Sequence, residues 1–191
     1  MQYENVPREE AEKEILEFLD STCALVDPNP GQYGCGTIHR TSLVLATSHD
    51  DEPRATPLEF FNEGLTIYIF GEPGGKIANI KRNPKVCAAL YEQPLDHSKF
   101  QRSMQVWGKA ELITIRSDKN IYMEKVKKWN LLEVGKKLMS PHIKDLSPEE
   151  QTKTVEKMLG ALNLIRIEPT RMVLRKYNPD FTTPKYEWKK E

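Results

Sequence analysis

The apolar positions begin in a helical rhythm. Ala11, Ile15, Phe18 and Leu19 fall at i, i+4, i+7 and i+8, with Glu and Lys between them. Residues 7–20 therefore predict an amphipathic helix. Pro7 suits its first turn, where a missing N–H costs nothing. Asp27-Pro28-Asn29-Pro30-Gly31 is a dense turn signal, and the stretch on to His39 has no period and reads as loop.

From Ser42 the pattern shortens to strand-sized runs. Ser42–Thr47 predicts a first strand, the polar His49–Pro53 a turn, and Arg54–Phe61 a second strand that Pro57 confines to an edge or bulge. Asn62-Glu63-Gly64 reads as a hairpin turn into a third strand, Leu65–Phe70. The glycine-rich loop Gly71–Gly75 leads to one or two helical turns over Lys76–Arg82, which Asn83-Pro84 stops. Val86–Glu92 and Met104–Ile115 are further strands, the longer one carrying a bulge or close approach at Gly108.

After Ile115 the rhythm turns helical again. Asp118–Trp129 predicts a helix with Ser117 as its cap. Ser147-Pro148-Glu149-Glu150 offers an N-cap, a first-position proline and a capping-box glutamate ahead of the stripe Val155, Met158, Leu159, Leu162. Leu164–Arg175 reads as closing strands broken at Glu168-Pro169, and the tail from Lys176 as extended. No repeat or long linker divides the chain. The expectation is a single domain over 1–191, mainly β with helices, in which hairpin-joined strands favour a small antiparallel barrel over a parallel sheet.

Composition narrows the function classes. Twenty-eight basic and 28 acidic side chains leave no net charge. That argues against a general nucleic-acid partner but leaves room for one local anion pocket. No apolar run approaches the roughly 18 residues of a membrane helix. The Glu-rich start has no secretory signal, so a cytoplasmic location is expected. Cys23, Cys35 and Cys87 are too few and scattered for a disulfide framework, which suggests reduced thiols. Cys35 and His39 lack a second ligand pair, so no metal site is expected.

The loop Gly71-Glu72-Pro73-Gly74-Gly75-Lys76 invites comparison with a nucleotide-binding P-loop. It is one residue short between its first Gly and the Gly-Lys pair, and Ile77 stands where Ser or Thr would hold magnesium. The physical content survives. A strand ends, glycines allow close approach, and a Lys opens a short helix, which together suit a phosphate as well as they suit an ordinary turn. The histidines His39, His49, His97 and His142 are scattered, and no nucleophile elbow or zinc-binding helix motif occurs. Chemistry on this chain would need a bound cofactor.

One ordered series gives these pieces a common meaning. It runs through an N-terminal helix, Leu45-Ala46-Thr47, a turn with Pro53, Arg54-Ala55-Thr56-Pro57-Leu58, a turn at Gly64, Ile67-Tyr68-Ile69-Phe70, Gly75-Lys76 and Ile80-Lys81-Arg82-Asn83-Pro84-Lys85-Val86. It closes with Val106-Trp107-Gly108-Lys109-Ala110-Glu111. Over residues 11–115 this resembles the FMN-binding split-barrel family related to pyridoxamine 5′-phosphate oxidase. The resemblance implies a Greek-key split β-barrel with an N-terminal helix and a helical insertion over about 117–162. It also implies a homodimer whose FMN lies in a groove between protomers. Arg54, Thr56, Pro57 and Leu58 would then line the flavin ring, Ile69, Phe70 and Gly71 would continue that wall, Gly75 and Lys76 would hold the phosphate, and Ser103 would add a polar contact.

The chain departs from true pyridoxamine phosphate oxidases at three places. Phe61 stands where they carry a basic residue, Gly75 replaces the Arg beside the cofactor-binding Lys, and Arg175-Lys176-Tyr177-Asn178 does not match their substrate-phosphate motif. The resemblance thus implies an FMN-dependent oxidoreductase or flavin reductase with a small electron donor or acceptor, other than a vitamin B6 oxidase. A haem or flavin carrier or sensor, with His39, His49 or His97 as axial ligand, and a deazaflavin-dependent reductase are the alternatives on the same fold.

Overall fold

The computed structural model describes residues 6–26, 37–38, 42–92 and 101–191. The first helix, α1 (Arg8–Thr22), buries Ala11, Ile15, Phe18 and Leu19 completely, as the spacing predicts. Pro7 is its N-cap rather than a first-turn residue. Strands β1 (Leu25–Val26) and β2 (Thr37–Ile38) pair briefly. The predicted turn at 27–31, with Cys35, His39 and His97, lies outside the described residues.

The body is an antiparallel eight-stranded sheet. Its path runs β4 (Glu52–Leu58), β3 (Leu43–His49), β7 (Lys85–Glu92), β8 (Gln101–Ile113), β9 (Asn163–Tyr177), β6 (Thr66–Gly71) and β5 (Phe61–Glu63), with β10 (Lys185–Lys189) also on β9. The path ends on β4 and β5, which only Glu59 and Phe60 separate in the chain. Three extended steps hold the Cα atoms of Leu58 and Phe61 within roughly 11 Å. The sheet therefore curls until its edges nearly meet without a ladder between them, which is a split barrel of mainly β character. The sheet ladder confirms β4 as an edge, where Pro57 costs no interior hydrogen bond.

Several predicted boundaries shift for local reasons. The run 54–61 is two strands, because Phe60 and Phe61 are buried in succession and break the alternation. Two residues, Asp50 and Asp51, turn the β3–β4 hairpin with φ of 51° and 59°, the left-handed pair of a type I′ turn. Residues 163–177 form one strand rather than two. Pro169 sits opposite Gly108, at the register shift that β8 makes between Trp107 and Gly108, so its missing N–H falls at the bulge.

The main core packs α1 on the barrel interior. Strand β6 is buried on both faces: Ile67 and Ile69 point into that core, while Tyr68 and Phe70 point outward into a second cluster. Four helices cover this outer face: α3 (Lys119–Lys128), α4 (Leu131–Leu138), α5 (Ser140–Ile143) and α6 (Pro148–Leu159). Asp118, not Ser117, caps α3 by accepting from the Ile121 N–H at 3.0 Å. The Ser147–Glu150 capping box of α6 forms as predicted. Trp129 stacks on Phe61 at 4.6 Å between ring centres, and Phe70 meets Tyr122 and Trp129 edge-on. Such pairs add about 0.5–1.5 kcal/mol each beyond their area. Among the described residues no helix is long and apolar enough to cross a membrane.

Ionic contacts fasten α3 to the sheet. The buried Lys125 donates to both Glu63 oxygens at 2.7 Å, and Lys128 reaches the same carboxylate at 2.6 Å. Burial alone would raise the Glu63 pKa, but the two ammonium groups outweigh it and hold it below the ordinary 4.5. The stabilisation is complete above pH 4.5 and is lost as pH falls through the lowered folded value. Acid melts of the wild type and of Glu63→Gln check this. The wild type is expected to lose more melting temperature than the variant between pH 5 and pH 3, and equal losses would remove Glu63 from the account.

Candidate functional site

The end of β6 and the start of the next helix make the site. Gly71 closes the strand, Glu72–Gly74 turn, and α2 (Gly75–Arg82) begins at once. Ile77 and Ile80 seat α2 on the barrel, and Asn79 and Asn83 tie it to β3 by hydrogen bonds of 3.2 Å to the Thr47 Oγ1 and the Ser48 carbonyl. Lys81 and Arg82 complement the helix C-terminus. Its N-cap is Gly74, which gives the first amides no side-chain hydrogen bond.

Two cationic side chains from different elements reach this junction, one at Gly75 and one at Gly71. A Cβ built on Gly75 would lie 2.5 Å from the Arg54 Nε and 2.6 Å from its Cζ, so the guanidinium of β4 rests directly on the Gly75 backbone. A Cβ on Gly71 would meet the Lys76 Cε at 3.0 Å, which shows the lysine stem folded back over the strand end. Arg54 fills the space beside Gly75 from β4.

Grooves open on both sides of this junction. Arg54, His49, Glu52, Asn79, Arg82 and Gly75 border a polar groove of about 570 Å³. Lys76 lies in a second, of about 540 Å³, walled by Pro57, Leu58, Phe70, Leu138 and Met158. A mainly apolar cleft of about 260 Å³ runs on from it beneath α4 and α6 and shares Glu59, Phe70, Leu138, Met158 and Leu162 with it.

The structure brings Arg54, Pro57, Leu58, Phe70, Gly71, Gly75 and Lys76 to this junction. Thr56 is half-buried on β4, opposite Leu45. Ile69 faces away, fully buried in the barrel core. Ser103 is elsewhere, half-buried on β8 between Tyr91 and Arg175, in a groove of about 620 Å³ on the outer sheet face. Leu138, Met158 and Leu162, which also wall the lysine groove, carry no signal of that role in the sequence, because only folding of the helices brings them there.

No group of three potential metal ligands occurs among the described residues. His49 pairs with Asp50 at 3.1 Å on the hairpin. Cys23 is buried, and burial pushes the thiol pKa of Cys87 up, away from the reactive thiolate.

Comparison with known proteins points in one direction. The pyridoxamine 5′-phosphate oxidase family pattern matches residues 38–173. The uncharacterized protein RA0666 of Rhizobium meliloti (strain 1021) is 29% identical over 89 residues, 47% of this chain and 56% of that protein. The chain thus matches little more than half the length of that curated relative. The conserved hypothetical protein Rv2991 of Mycobacterium tuberculosis superposes with a TM-score of 0.52 at 18% identity, over 90% of this chain and 88% of that one. PhzG of Burkholderia lata 383, solved with tetrahydrophenazine-1-carboxylic acid, gives 0.50 at 13% identity, over 78% and 76%. At these identities the two structures share the fold.

Proposed function

The chain belongs to the pyridoxamine 5′-phosphate oxidase family, and from that premise we propose that it is an FMN-dependent oxidoreductase or flavin reductase acting as a homodimer. The start of α2 carries the reading. The helix start offers its N–H groups and positive end, the Arg54 guanidinium rests on the Gly75 backbone, and the Lys76 stem lies over Gly71. That donor set suits a phosphate dianion. The adjoining wall of Pro57, Leu58 and Phe70 suits a flat apolar ring.

When bound, FMN would supply the electron-transfer chemistry, taking electrons from a small donor and passing them to a small acceptor. The chain's own work is to bind, orient and shield. Lys76 and Arg54 hold the phosphate, and the α2 amides fix its position. Strand β4 and Phe70 set the plane of the ring, and Leu138 and Met158 keep water from one side.

In the proposed homodimer, Ser103 of one protomer faces the cofactor held by the other. The outer sheet face supports this reading, because Val44, Tyr91 and Tyr177 are exposed there, at 36%, 50% and 38%. Heat-releasing the cofactor from purified protein and weighing it by mass spectrometry tests the proposal. FMN, one per chain, is the expected result. A deazaflavin mass, a haem Soret band, or protein that stays colourless after incubation with FMN would each overturn it.

A further inference from the structure

The family premise leaves the cleft beneath α4 and α6 without a role. Its walls are the Phe61 and Phe70 rings with Leu131, Val134, Leu138 and Leu162. It is not a packing fault of loose helices. A Cβ on Gly135 of α4 would come within 2.5 Å of the Val155 Cγ1 on α6, so the Val155 side chain packs directly on the α4 backbone. The sheet-side wall is equally fixed, since Trp129 stacks on Phe61 and holds Phe70 edge-on. Rigid walls thus surround open apolar space, and Leu138 at 56% exposure marks its mouth.

We infer that this cleft binds an uncharged aromatic compound of one or two fused rings. Size sets the class: an apolar cavity of about 150 Å³ already takes benzene, and this one is about 260 Å³. Chemistry sets it too: Glu59 stands where the cleft joins the Lys76 groove, and the rest of the lining is aromatic edges and aliphatic side chains, which offer a ring dispersion contacts but no partner for a charge. Continuity sets the purpose. The cleft shares Phe70, Leu138, Met158 and Leu162 with the Lys76 groove, so its occupant would lie beside whatever fills that groove. This last step rests on the flavin reading, and the occupant is then the substrate of that site.

Calorimetric titration of 2-naphthol into the full-length protein, with and without FMN, tests it. Saturable binding of one 2-naphthol per chain is expected. Val134→Phe, which fills the cleft away from the Lys76 groove, is expected to weaken it at least tenfold while leaving FMN affinity unchanged. Leu138→Asp, at an exposed position, serves where Val134→Phe fails to fold, with naphthol binding as its only readout because Leu138 also walls the Lys76 groove, and a melting curve tells the two cases apart. No saturable binding, or binding that neither variant weakens, overturns the inference. So does a monomeric Leu138→Asp from a dimeric parent, which would give the cleft to a second copy. Naphthol binding in a protein that takes no FMN keeps the cleft and removes the flavin reading instead.

Discussion

Replacing Lys76 with alanine is expected to weaken FMN binding about 10- to 150-fold. A hydrogen bond to a charged group contributes about 1.5–3 kcal/mol, and each 1.4 kcal/mol is a factor of ten. The lysine stem lies across Gly71 at the end of β6, so its ammonium is delivered from a fixed support rather than a free surface arm. Lys76→Arg keeps the charge and is expected to retain most of the affinity. Quenching of flavin fluorescence measures both variants. Affinity unchanged in Lys76→Ala would take the residue out of the site.

A larger structural effect is expected far from the site, at Gly108. A Cβ there would lie 2.5 Å from the Glu168 carbonyl oxygen and 3.1 Å from the Ile167 Cγ2. Backbone cannot step aside as a side-chain tip can, and overpacking of this kind costs about 1–3 kcal/mol, more when the main chain must move. Gly108→Ala is therefore expected to lower the melting temperature by about 2–12 °C for a chain of this size. The same change tests the β8–β9 register, since Gly108 faces Pro169 at the bulge. A variant that melts with the wild type would refute that close approach.

The sequence shows the pieces whose signals are local. Four apolar residues on one stripe define α1, a Ser and a Glu three apart define the start of α6, and a lone glycine in a strand marks the bulge. What it hides depends on partners distant in the chain. Nothing around Pro169 says that a bulge across the ladder will excuse its missing N–H. Helix α4 is preceded by Asn130, a residue type favoured at helix starts, but in left-handed conformation it makes no side-chain cap contact.

The site divides the same way. Gly75-Lys76 is legible as a candidate phosphate loop, because glycine, lysine and a helix start are adjacent. The seating of Arg54 on Gly75 is not, since the two lie on separate elements and meet only when β4 pairs with β3 and α2 packs beside it. The apolar cleft is less legible still. Its walls come from β5, β6, α4 and α6, and the sequence shows only their separate stripes.

The central claim is that α2 and its two cations form a seat for a flavin's phosphate. Titrating the cofactor-free protein with FMN and, in parallel, with riboflavin isolates that group, because the two ligands differ only in the phosphate. Loss of two charged hydrogen bonds predicts riboflavin binding at least about 100-fold weaker. Equal affinities for the two flavins, or no binding of either, would contradict it.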